Sequence, residues 1–110
     1  MTYTEIANMI AEVGIPYAFH HFPDNTGQQP PFICFYYPAD HDFKADDTNY
    51  RKINQLTIEL YTDYKDFNLE AEIEKTLNDH GLVYSREEAF ISDERLYMAS
   101  FFTEVLIDAE

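Results

Sequence analysis

Tryptophan is absent from this 110-residue chain, cysteine occurs once, glycine three times, and only 7 residues are basic. Each shortage excludes something. One cysteine cannot close an internal disulfide, which points to a reducing compartment. Seven basic residues stand against 21 acidic ones, a formal charge of −14. So acidic a chain repels polyphosphate and, for the same reason, anionic membrane surfaces. No run reaches the roughly 18–20 apolar residues of a spanning helix. The start Met1-Thr2-Tyr3-Thr4-Glu5 lacks the basic and apolar stretches of a signal peptide, so no leader is expected. Catalytic signatures are missing too: there is no Gly-x-Ser-x-Gly elbow and no glycine loop to cradle phosphate. With 21 carboxylates, acidic pairs arise at almost any separation and carry no information. No enzyme is expected, and no catalytic, cofactor-binding or metal residue is assigned.

What is present reads as one globular domain, residues 1–110, with 45% hydrophobic and 25% charged residues. Nine Tyr and nine Phe are more rings than a small core needs, so some should lie at the surface, where Tyr serves interfaces. The organising stretch is 55–62. Leu56, Ile58 and Leu60 alternate with Gln55, Thr57, Glu59 and Tyr61, the two-residue period of a half-buried strand. Asp63-Tyr64-Lys65-Asp66 turns the chain into a helix whose stripe is Leu69, Ile73 and Leu77. An apolar strand face and an apolar helix stripe bury one another as two layers.

The remaining chain supplies more strands. Ile6, Met9, Ile10 and Val13 predict a helix over 3–13, capped by Thr4 or Thr2 and stopped at Gly14 and Ile15-Pro16. Residues 17–22 form a first strand, 23–31 a loop holding three of the five prolines, and 32–37 an interior aromatic strand. Residues 39–49 are a polar loop. The alternation slips between Ile53 and Leu56, which suggests a bulge. His80-Gly81 ends the long helix, 82–84 is a short strand, and Phe90-Ile91 is a second apolar pair. The last strand, 96–107, is apolar on both faces, with Met98, Phe102 and Leu106 opposite Tyr97, Ala99, Phe101 and Val105. It is therefore central or covered by a neighbouring subunit. The expected fold is α+β: a mainly antiparallel sheet of four to five strands with two helices on one face.

Three constellations invite a site. Asp40, Asp42, Asp46 and Asp47 suggest calcium, but an EF-type loop from Asp40 would place Lys44, Ala45 and Arg51 where oxygen ligands and glycine are required. A solvated acidic loop is the reading that remains. His20, His21, Cys34 and His41 carry zinc-type ligands, yet adjacent histidines on a strand face opposite ways, so at most one joins a cluster. Cys34, among aromatics, reads as a buried inert thiol. Glu70, Glu72 and Glu74 are either a solvated helix face or contacts for a basic partner.

A resemblance adds to this. The runs Pro30-Pro31-Phe32-Ile33-Cys34-Phe35-Tyr36, Phe43-Lys44-Ala45-Asp46-Asp47 and Ile58-Glu59-Leu60-Tyr61-Thr62-Asp63-Tyr64-Lys65-Asp66 lead into Leu69-Glu70-Ala71-Glu72-Ile73-Glu74-Lys75-Thr76-Leu77. With the closing segment from Ser92-Asp93-Glu94-Arg95-Leu96-Tyr97-Met98 to Glu104-Val105-Leu106, the chain resembles the small tail-completion or tail-terminator proteins of long-tailed bacteriophages and prophages. That resemblance implies a non-enzymatic α+β virion protein, assembled in the bacterial host cytoplasm into a ring, typically a hexamer. Such a ring caps the tail tube and joins it to the head connector, so the implied partners are further copies, the tube protein and connector or neck proteins.

Candidate contact segments are the loops 23–31 and 39–49 and the exposed side of the last strand around Tyr97 and Phe101. Two other classes stay open at this level. One is an acidic DNA mimic or inhibitor that captures a basic protein, marked by carboxylates clustered on one face. The other is a small enzyme, marked by a deep pocket of converging acids. The charge itself makes a prediction: no measurable binding to duplex DNA at about 150 mM salt, checked by fluorescence anisotropy. Affinity there would require a concealed basic stripe from Arg51, Lys52, Arg86 or Arg95.

Overall fold

The chain, seen in a computed structural model, is described over residues 1–23, 27–39 and 52–108. Helix α1, Tyr3–Ala11, starts at a capping box. The Thr2 hydroxyl accepts from the Glu5 amide at 3.1 Å, and Glu5 Oε1 accepts from the Thr2 amide at 2.9 Å. The cap is Thr2, then, and the helix ends two residues earlier than expected. Gly14, at φ +87°, turns the chain away where a side chain would be strained. Ile6, Met9 and Ile10 are buried, while Val13 packs at the margin of the core.

Five strands form one sheet in the order β1-β2-β3-β5-β4: β1 Tyr17–Phe19, β2 Phe32–Tyr36, β3 Lys52–Thr62, β4 Tyr84–Ile91 and β5 Leu96–Ile107. Only β1 and β2 run parallel; the other three pairings are antiparallel. Helix α2, Phe67–Asp79, follows β3 and is capped by Asp66, whose Oδ1 accepts from the Leu69 amide at 3.0 Å. Both helices pack on one face. Ile6, Met9, Ile10, Ile73 and Leu77 share a core with Ile33, Phe35, Leu56, Ile58, Leu60, Ala99, Phe101 and Val105. The α+β architecture is as expected, with β5 central between β3 and β4.

Three expectations are corrected. The pairing of β3 with β5 runs unbroken from Lys52↔Ile107 to Thr62↔Tyr97, so there is no bulge between Ile53 and Leu56. Asn54 holds the core-facing phase instead, buried and donating to the Tyr3 hydroxyl at 2.8 Å. Second, 82–84 and Phe90-Ile91 do not form separate pieces. A single strand of 8 residues, Tyr84–Ile91, spans most of that stretch, and its polar middle hid it because an edge strand is wet on both faces. Third, the first strand stops at Phe19 because His20 adopts φ +70° and turns the chain.

Leu56, Ile58 and Leu60 face Ile73 and Leu77 as expected, with Leu69 at the core's edge. Ile58 and Ile73 are each 2% exposed. Replacing either with Ala is expected to lower unfolding free energy by about 2–5 kcal/mol, read from chemical denaturation midpoints.

Candidate interaction surfaces

The helix α2 stripe runs inward through Ile73 and Leu77 as expected, with Leu69 only partly buried. Glu70 occupies its N-terminal end, 4% exposed, so Glu70, Ile73 and Leu77 face inward at i, i+3 and i+7. Lys65 Nζ donates to both Glu70 oxygens at 2.9 and 2.7 Å and also to Glu88. Arg86, from edge strand β4, pairs with Glu70 Oε1 and lies 3.7 Å from Glu74. Its guanidinium also sits 5.8 Å from the Phe101 ring centroid. Glu70 is thus an internal counter-ion that ties α2 and its preceding turn to the sheet edge, not part of a solvated face. Glu72 remains exposed. The signal for this in the sequence was the opposite charge at Lys65 and Arg86, on either side of the helix.

Burial works against the charge on Lys65, but its bonds to Glu70 and Glu88 outweigh that and hold its pKa above the ordinary value. The Lys65 hydrogen bond holds Glu88 below the usual carboxylate range. A depressed carboxylate stabilises above its unfolded pKa and loses that contribution as pH falls through the folded one.

The zinc-type residues are placed differently than adjacency implied. The left-handed turn at His20 brings both rings together, with the two Nδ1 atoms 3.0 Å apart. These residues and the buried Cys34 line one shallow pocket with Tyr61 and Glu94. Among the described residues no three His, Cys, Asp or Glu side chains gather to hold a metal. His41 and the acidic residues Asp40, Asp42, Asp46 and Asp47 lie outside the described residues, as does most of the 39–49 loop. Of the basic set, Arg51 lies outside too, and Arg86 is ion-paired. Lys52 and Arg95 sit at opposite ends of the β3–β5 pair, so these three form no stripe.

The expected stretch of the last strand shows little surface: within residues 97–101 only Tyr97 is exposed and Phe101 is 0% exposed, while Leu106 is exposed further along. Exposed rings lie instead at the two ends of the sheet and at the turn into α2, where Tyr64 and Phe67 are exposed. Tyr17 and Phe19 lie on outer strand β1, with Tyr3 of α1 nearby. Phe90 of outer strand β4 meets Tyr97 edge-on at 4.9 Å. The described carboxylates are dispersed over both helices, β3, β4, β5 and the turns, which is not the single acidic face a DNA mimic requires. In the groove between Tyr36, Gln55, Thr57, Ser85 and Phe102, Glu104 is the one carboxylate among the described lining residues, so no acids converge there. No described helix is long and apolar enough to cross a membrane.

Glu70→Ala is expected to destabilise by about 1–3 kcal/mol, since it strands two cations that reach solvent at one side. Glu88→Gln should flatten the loss of melting temperature on acidification below about pH 4, the window in which a depressed carboxylate gives up its stabilisation. Thermal scans from neutral to acid pH check both.

No family model matches the sequence, and no curated protein matches it. Among solved structures the chain is similar to one from the virion of a native gene transfer agent particle, with a TM-score of 0.58 and 13% identity. The match covers 94% of this chain and 86% of that one. At such identity the likeness is one of fold.

Proposed function

We propose that this protein is a structural component of a phage-like virion, and that within it the chain caps the tail tube or joins the tail to the head as a ring. The observation that carries the reading is the pair of unlike sheet edges. β1 is short and carries Tyr17 and Phe19, with Tyr3 nearby; β4 is long and carries Arg86, Glu87 and Glu88, then Phe90 beside Tyr97 near its end. Two different edges on one sheet suit a heterologous contact, in which one edge of a subunit meets the opposite edge of the next and rotation closes the ring. Charges on β4 restrict which strand can pair there, as edge strands generally require. The fold likeness to a chain of a gene transfer agent virion supports the setting. A hexamer, with the tail tube protein and the head connector as neighbours, is the form this reading takes, assembled in the host cytoplasm.

An acidic ring also lets DNA pass without adhering, because like charges repel. The test mixes the protein with tail tubes or head connectors from the same phage and follows co-sedimentation. Binding to either is expected, and Phe19→Glu and Phe90→Glu, at the two edges, should each prevent ring closure while leaving the subunit folded. If neither structure binds, and deleting the gene leaves head–tail joining normal, the proposal fails.

A further inference from the structure

The sheet face turned away from α1 and α2 carries a trough that runs across the strands. Register sets Cys34 beside Glu59, Glu59 beside Ser100, and Ser100 beside Glu87 in one row. One bordering row holds Phe32, Tyr61 and Met98; the other holds Tyr36, Thr57 and Phe102. The Phe32 and Tyr61 rings stack at 5.0 Å, which makes that wall continuous. Cys34 and Ser100 are 6% and 4% exposed although both helices pack on the other face. Taller neighbours rise above these short side chains, which form the floor together with Thr57, 2% exposed.

Glu59 stands in the middle of this trough, half-buried. Its Oε1 accepts from the Tyr61 hydroxyl at 2.8 Å and its Oε2 from the Tyr36 hydroxyl at 3.2 Å. Burial, then Glu59 itself, raises the pKa of both phenols, so they remain O–H donors. Two neutral donors orient the carboxylate but leave its charge uncompensated. No ion pair to Glu59 forms among the described residues, where Lys65 and Arg86 are committed to Glu70 and Lys75 to Asp79. The described carboxylates on this face are Glu59, Glu87 and Glu104, with Glu94 at its border beside His20 and His21, and the face carries neither Lys nor Arg among the described residues.

We infer that this trough receives an arginine side chain of a basic partner protein, with Glu59 as counter-ion and Tyr36 and Tyr61 as walls. A guanidinium is flat, weakly hydrated and stacks on phenol rings, whereas an ammonium keeps its water. Met98 and Phe102 offer apolar contact to the aliphatic stem. A second copy of this chain is a poor occupant, because stacking the two faces sets carboxylates against carboxylates. Nucleic acid is excluded by the same sign of charge. The inference concerns a face of the single subunit and does not rest on the ring.

The test is an NMR titration of the full chain with N-acetylarginine methylamide, using the citrulline analogue as neutral isostere. Saturable shifts at Cys34, Glu59 and Ser100 are expected with arginine and not with citrulline. Glu59→Gln should weaken binding by about tenfold, the scale of losing one charge-assisted pair. Equal shifts with citrulline, shifts scattered over the acidic surface, or indifference to Glu59→Gln overturn the inference. So does protection of this row on raising protein concentration alone, which assigns the face to a second copy. The citrulline comparison needs no variant and decides the matter if Glu59→Gln does not fold.

Discussion

All eleven residues of β3 pair with β5, and the rest of the molecule depends on that ladder keeping its register. Side chains alternate along a strand, so a slip of one residue would send Leu56, Ile58 and Leu60 to the open face and bring Thr57, Glu59 and Tyr61 under the helices. The register is held from both sides. On the helix face the cost of exposing three aliphatics forbids the slip; on the other, the cost of burying Glu59 does. Asn54 adds a fixed point, because its amide reaches the Tyr3 hydroxyl of α1 only in this phase. The ladder joins segments far apart in sequence, so it forms only after substantial loop closure.

Charge shapes what the fold leaves outside. Two described cations are drawn inward to hold elements together, Lys65 and Arg86 converging on Glu70, while Lys75 pairs with Asp79 on the exposed side of α2. Cations used this way do little to offset the acidic exterior. The consequence is an acidic surface broken by apolar and aromatic patches, at both sheet edges and across the open face. Solubility and selective contact come from the same division, since acidic ground repels copies and polyanions while ring patches accept a fitting surface.

The chain announced its architecture where one period ruled a long segment. Leu56 to Leu60, the α2 pattern and the 96–107 strand were legible because burial falls on regular positions. Legibility failed where a polar residue held an inward position. Asn54 looked like a break in alternation and Glu70 like surface, because only a tertiary partner, Tyr3 or Lys65 with Arg86, reveals why each is tolerated inside. The β4 strand was hidden for the opposite reason: at an edge, no face demands apolar residues. His20 and His21 met because a single left-handed residue broke the alternation that adjacency assumes. Glu59 gave no sign on its own, since its setting depends on Tyr36, a residue 23 positions away.

Cys34 is the sole thiol of the chain and lies on the floor of the open face. Burial, then the nearby Glu59 charge, raises its pKa and keeps it in the unreactive protonated form. Alkylation therefore requires the walls around it to part. The labelling rate of this sulfur becomes a clock for local opening of that one region, set by the free energy of fluctuation rather than by global unfolding. A chemical stopwatch is built into the strand without any engineered probe.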